Sequence, residues 1–154
     1  MNLGGNMARR LLGEKIVRRA VIKYLGRKGY ARGLEPKETQ EHGVDIKVRH
    51  NKYPRYFYVE VKGESDAKSA RASHEVYFLT ALGQILTRME SKSAYKYGLG
   101  FPQAIADKAV RRIPWHIAKK LRLHIFSVDD MEKVSRLTWK ELKKTQELKK
   151  SQKK

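Results

Sequence analysis

The segment GVDIKVRHNKYPRYFYVEVKGE, residues 43–64, constrains this chain more than any other part of it. Apolar residues alternate twice there: Val44, Ile46 and Val48, then Phe57, Val59 and Val61, with Asn51, Lys52 and Pro54 between. Two period-2 runs separated by turn formers read as a β-hairpin. Burial fixes its register, because a one-residue slip would turn every apolar side chain to the wrong face. Val48 should face Phe57, Ile46 should face Val59, and Val44 should face Val61. The same register sets Asp45 directly opposite Glu60 on the other face, with Lys62 two residues on and on the same side. Directly opposed like charges destabilise a sheet, so something positive belongs between these carboxylates. Oxygen ligands of this kind suit a hard divalent cation, first Mg²⁺ with Mn²⁺ as a substitute. Such an ion polarises a phosphodiester and lowers the pKa of an attacking water. Lys62 is suited to orient or deprotonate that water, or to neutralise transition-state charge. The competing reading is a solvated sheet face with an ordinary ion pair.

Around the hairpin the periods change. LLGEKIVRRAVIKYLGRKG carries Val17, Val21 and Leu25 on one helical stripe beside Ala20 and Tyr24, ended by Gly26 and Gly29. Tyr30 to Glu38 reads as an edge strand weakened by Gly33 and Pro36. A second helix is expected from Ser73 to about Glu90, with Phe78, Leu82, Ile85 and Met89 on one face. Tyr95, Tyr97, Leu99 and Phe101 alternate as a core strand stopped by Pro102. A basic helical segment from Gln103 to Lys120, kinked near Pro114, leads to a last strand from Leu121 to Val128, and Asp129 with Asp130 reads as a helix cap. The expected fold is α/β, a mixed central sheet of about five strands flanked by helices. Residues 1–8 read as a disordered lead-in, 9–138 as one domain, and 139–154 as a basic charged tail, a helix that frays into solvent with no apolar stripe to bury.

Charge narrows the partner. Lys plus Arg number 35 against 16 Asp plus Glu, a formal charge of +19 and a pI near 10.2. A polyanion is the natural partner of such a chain. No apolar stretch approaches the roughly 20 residues needed to span a bilayer, so no membrane partner is expected and the cytoplasm is the default location. With no cysteine there is neither a disulfide framework nor a thiolate metal site. Lys68, Arg71, Arg88, Arg111 and Arg112 are candidates for phosphate contacts, with Tyr53, Tyr56, Tyr58 and Trp115 for occasional base stacking.

On the first helix, Glu14 shares the stripe of Val17 and Val21 and is expected to point inward, where a carboxylate wants a partner. A metal ion would serve, and so would an i to i+4 pair with Arg18. An acid on the first helix, then GVDI, then a strand reading VEVK, resembles the PD-(D/E)xK nuclease superfamily, the restriction-endonuclease-like fold. Under that resemblance Asp45 matches the first acid of the motif, Glu60 and Lys62 its E-x-K, Glu14 the helix acid of many members, and Gln84 a glutamine that positions substrate or water. Val44 departs from the motif by standing where its proline would be. The resemblance implies Mg²⁺-dependent hydrolysis of DNA phosphodiesters leaving a 5′-phosphate, by an endonuclease of restriction, repair or junction-resolving type, often a homodimer. Metal ligands would be Asp45, Glu60 and Glu14. The alternative is a basic nucleic-acid-binding module with a vestigial nuclease site.

Overall fold

A computed structural model describes residues 10–30, 46–64 and 70–152, with the side chains of 70–72 left out. The elements run α1 (Glu14–Arg27), β1 (Ile46–Arg49), β2 (Tyr56–Val61), α2 (Ala70–Thr87), β3 (Tyr95–Pro102), α3 (Gln103–Arg112), α4 (Trp115–Leu121), β4 (Leu123–Val128), β5 (Val134–Leu137) and α5 (Trp139–Gln152). Five strands form one mixed sheet in the order β1-β2-β3-β4-β5, with β1 and β5 antiparallel to their neighbours and β2, β3 and β4 parallel. The protein is thus α/β, with α2 joining β2 to β3, and α3 with α4 joining β3 to β4, as parallel pairs require a crossover.

Alternation along the strands divides the core in two. Phe57, Val59 and Val61 face α1, where they pack with Val17, Val21 and Leu25 and with Phe126 of β4. Tyr58, Tyr97, Leu99, Phe101 and Ile125 face the other way and pack with Phe78, Ala81 and Ile85 of α2, Ile105 and Ala109 of α3, and Leu142 of α5. Gly98 and Gly100 on β3 let the α1 side close tightly: a Cβ at Gly100 would stand 3.3 Å from Val21 Cγ2 and one at Gly98 2.6 Å from the Phe126 ring.

The hairpin register is the expected one, with Val48 paired to Phe57 and Ile46 to Val59. The α3–α4 break falls at Pro114, which precedes the first residue of α4. Three expectations change. Tyr30 is a buried core residue rather than the start of a strand, and the rest of that expected strand lies outside the described residues. Asp129 and Asp130 cap no helix; Asp129 Oδ1 accepts from the Met131 and Lys133 amides at 2.9 and 2.8 Å and closes the β4–β5 turn. The helix expected at the C-terminus is present over Trp139–Gln152, but it is docked rather than fraying into solvent. Leu142 is buried, and Gln146 donates to the carbonyls of Val110 and Ile113 at 2.9 and 2.7 Å and accepts from the Trp115 amide at 3.2 Å.

Candidate functional site

β2 alternates, so Tyr58, Glu60 and Lys62 share the face that looks toward α2. Lys47 on β1, paired with Tyr58, lies on that face too, its ammonium 4.9 Å from the Tyr58 ring centre. Glu60 sits on the floor of this face and is 3 % exposed. Burying a carboxylate costs several kcal/mol unless it is compensated by charge and hydrogen bonds. Part of the compensation comes from Arg88, one residue beyond α2, whose Nε approaches Glu60 Oε1 at 3.4 Å. Lys62 is half-buried, and its amide still continues the ladder by donating to Gly100 O at 3.0 Å.

Past Lys62 the chain meets the start of α1. A Cβ at Gly63 would stand 2.1 Å from Glu14 N and 2.3 Å from Gly13 C, so only glycine fits there. The Glu64 amide donates to Leu12 O at 2.7 Å. These contacts bring the first turn of α1 to the carboxyl end of β2, the end where open α/β sheets bind their ligands. The backbone of Glu14 thus lies against Gly63, just past the end of β2. Its side chain is 42 % exposed and pairs with Arg18 Nη2 at 3.3 Å, in place of the expected inward orientation.

Helix α2 lines the opposite wall. Gln84 Oε1 is buried with no hydrogen-bond partner among the described residues. An orphaned buried acceptor costs about 1–3 kcal/mol and calls for an explanation. Near the other end of the helix, His74 Nε2 lies 3.9 Å from Glu64 Oε2, and the Glu64 side chain is only 3 % exposed. Glu64 and His74 were not among the residues expected here. A signal existed for Glu64, which extends the alternation of Glu60 and Lys62; His74 becomes visible only once α2 is laid over β2.

Asp45 and Lys68 lie outside the described residues, as does the side chain of Arg71. Arg111 is exposed, and Arg112 is exposed but paired, together with Lys108, to Glu75, whose carboxyl is held below its ordinary range by those hydrogen bonds. Arg88, its side chain 30 % exposed, is turned toward Glu60. Among the described residues no three or more acids or histidines gather as a metal site, and no helix is long and apolar enough to cross a membrane. His124, on the α1 side, is edge-on to Phe57 at 5.1 Å and takes no part in this site.

No protein-family model matches the sequence, and no curated protein does. A crystal structure of an XisH family protein from Nostoc punctiforme PCC 73102 is similar over 80 % of this chain and 99 % of the other, at 17 % identity and a TM-score of 0.47. At that distance the likeness carries no argument about chemistry.

Proposed function

We propose that this chain is a metal-dependent nuclease that hydrolyses DNA phosphodiester bonds at the carboxyl end of β2. The observation that supports the reading most is the buried Glu60, 3 % exposed, facing a helix that also buries the unpartnered Gln84 Oε1. Packing alone favours an apolar residue at either position. A site for a hard cation uses such an acid, a neighbouring amide can hold a water beside it, and the charge of +19 draws the polyanion in.

The donor set fits a hard cation. Glu60 and Asp45, which directly precedes β1 in sequence, would hold Mg²⁺ or Mn²⁺, with Glu14 joining from the first turn of α1. Bound there, the ion supplies charge stabilisation at the phosphoryl group and lowers the pKa of water. Lys62, beside Glu60 on the same face, neutralises charge developing on the phosphoryl oxygens or takes the proton of the attacking water. Gln84 directs that water through its side-chain amide. Water adds to phosphorus, the bond to the 3′-oxygen breaks, and the products are a 5′-phosphate and a 3′-hydroxyl. Arg88 neutralises Glu60 when no cation does.

A second reading draws support from that same arginine. If the Arg88–Glu60 pair at 3.4 Å is purely structural, the protein is a basic nucleic-acid-binding module with a vestigial site. Incubation with linear, circular, single-stranded and branched DNA and with RNA, in Mg²⁺, Mn²⁺ or EDTA, separates the two. The nuclease reading expects metal-dependent cleavage that Asp45→Ala and Lys62→Ala abolish while binding persists. Tight, salt-sensitive binding without cleavage in any metal would replace it with the binding module.

A further inference from the structure

Three basic side chains stand together on the α1 side of the sheet, near the amino end of its parallel strands. Lys96 pairs with Phe57 and Arg136 with Phe126, both rings of the α1-side core, and His124 pairs with Gly98 on the same face. The register therefore sets Lys96 and Arg136 diagonally on either side of His124, each about 7–8 Å away between Cα atoms. All three are partly buried. Among the described residues none of the three side chains makes a hydrogen bond or an ion pair, and His124 Nδ1 is buried without a partner. The Lys96 ammonium is held below its ordinary range, first by burial and then by the charges of Arg136, Arg55 and Arg122. Glu141 of α5, the acid within electrostatic reach of His124, is engaged by the Thr138 amide and hydroxyl, both at 2.6 Å.

We propose that Lys96, His124 and Arg136 form an anion site that takes a phosphate group. Like charges gathered on one sheet face destabilise it, and burial makes them costlier still. No ion pair among the described residues offsets that cost at Lys96 or Arg136. An anion between them turns the repulsion into attraction and gives His124 Nδ1 a hydrogen-bond partner. Donors on three adjacent strands suit the three free oxygens of a phosphate group better than the two of a carboxylate, and a guanidinium grips phosphate oxygens in pairs. A free phosphate and a phosphodiester of nucleic acid share this chemistry, and the test below separates them. The inference stands independently of the nuclease reading, because Glu60 lies on the other face and toward the other end of the strands.

Histidine NMR of the full chain in EDTA tests it, with the His124 ring signals assigned by their loss in His124→Phe. Inorganic phosphate is titrated against chloride at constant ionic strength, and a short single-stranded DNA without terminal phosphates is titrated in parallel. The expected result is a saturable shift of the His124 signals, and a His124 pKa raised from about 4 by roughly one unit once the anion is bound. Lys96→Gln and Arg136→Gln should each weaken this binding at least about fivefold, while unfolding in chloride no more readily than wild type, since each relieves repulsion. A shift with phosphate alone supports the site and assigns it to free phosphate. A shift with the DNA at lower concentration than with phosphate supports it and assigns it to the phosphodiester backbone. His124 signals that move with neither, a shift shared alike by all five histidines, or variants that bind like wild type would each overturn the proposal.

Discussion

Replacing Gly63 by alanine drives a methyl group into the start of α1. The new Cβ would lie 2.1 Å from Glu14 N and 2.7 Å from Glu14 Cα, where ordinary contact begins at 3.4 Å, so the first turn must retreat by about 1.3 Å. The obstructing atoms are backbone and cannot swing aside. Overpacking of this kind costs about 1–3 kcal/mol. The same retreat stretches the 2.7 Å bond from the Glu64 amide to Leu12 O beyond hydrogen-bond range, a further loss of about 1 kcal/mol. Reduced unfolded-state entropy returns roughly 0.5 kcal/mol. The net expectation is a loss of about 2.5 kcal/mol, which at an m-value of about 2 kcal/mol/M lowers the urea midpoint by roughly 1.2 M. Gly26→Ala is the control: nothing lies within 4 Å of its Cβ position inside α1, so it should raise stability by up to about 1 kcal/mol. Both are read by far-UV circular dichroism in urea. A Gly63→Ala protein within about 0.5 kcal/mol of wild type would refute the claim that backbone contact locks α1 to the end of β2.

Burial, with repulsion from Arg136 and Lys96, brings the His124 imidazole down to about 4 from its ordinary 6.5. A depressed histidine stabilises the fold fully above its unfolded pKa, and that contribution is lost as pH falls from about 6.5 toward 4, by roughly 3 kcal/mol in all. The difference in unfolding free energy between wild type and His124→Phe, followed over that range, should track this loss; a difference independent of pH would contradict it. Arg111 and Arg112 are exposed at the end of α3. Should they contact phosphate, replacing both by glutamine reduces the salt slope of DNA binding by up to about 2, and an unchanged slope in a filter-binding titration would remove them from the interface.

Legibility in the sequence followed how completely local pattern determines each feature. The hairpin register could be read because each strand has one apolar face, and Ile46, Val48, Phe57 and Val59 must share it. Helices α1 and α2 announced themselves through period and length. β5 did not: of Val134–Leu137 only Val134 is buried, and four residues are too few for a period. The turn before it was mistaken for a helix cap because Asp129 bonds backbone amides in either setting. α5 docks through Trp139, Leu142 and Gln146, a face with a single buried leucine that is too sparse in apolar residues to stand out among the lysines. At the site, Glu60 and Lys62 followed from alternation alone, whereas the inward turn of Arg88 and the Glu64–His74 contact depend on where α2 crosses the sheet, which no local pattern encodes.

Single-turnover cleavage by Glu60→Gln, set against wild type at matched DNA occupancy in Mg²⁺, tests the central claim most directly. Glutamine keeps the shape of Glu60 and, on this floor beside Arg88, most of the packing. The expected result is a folded variant that binds DNA as wild type does and cleaves at least about a hundredfold more slowly. Cleavage at the wild-type rate would mean that Glu60 is a structural ion pair and that the chemistry lies elsewhere.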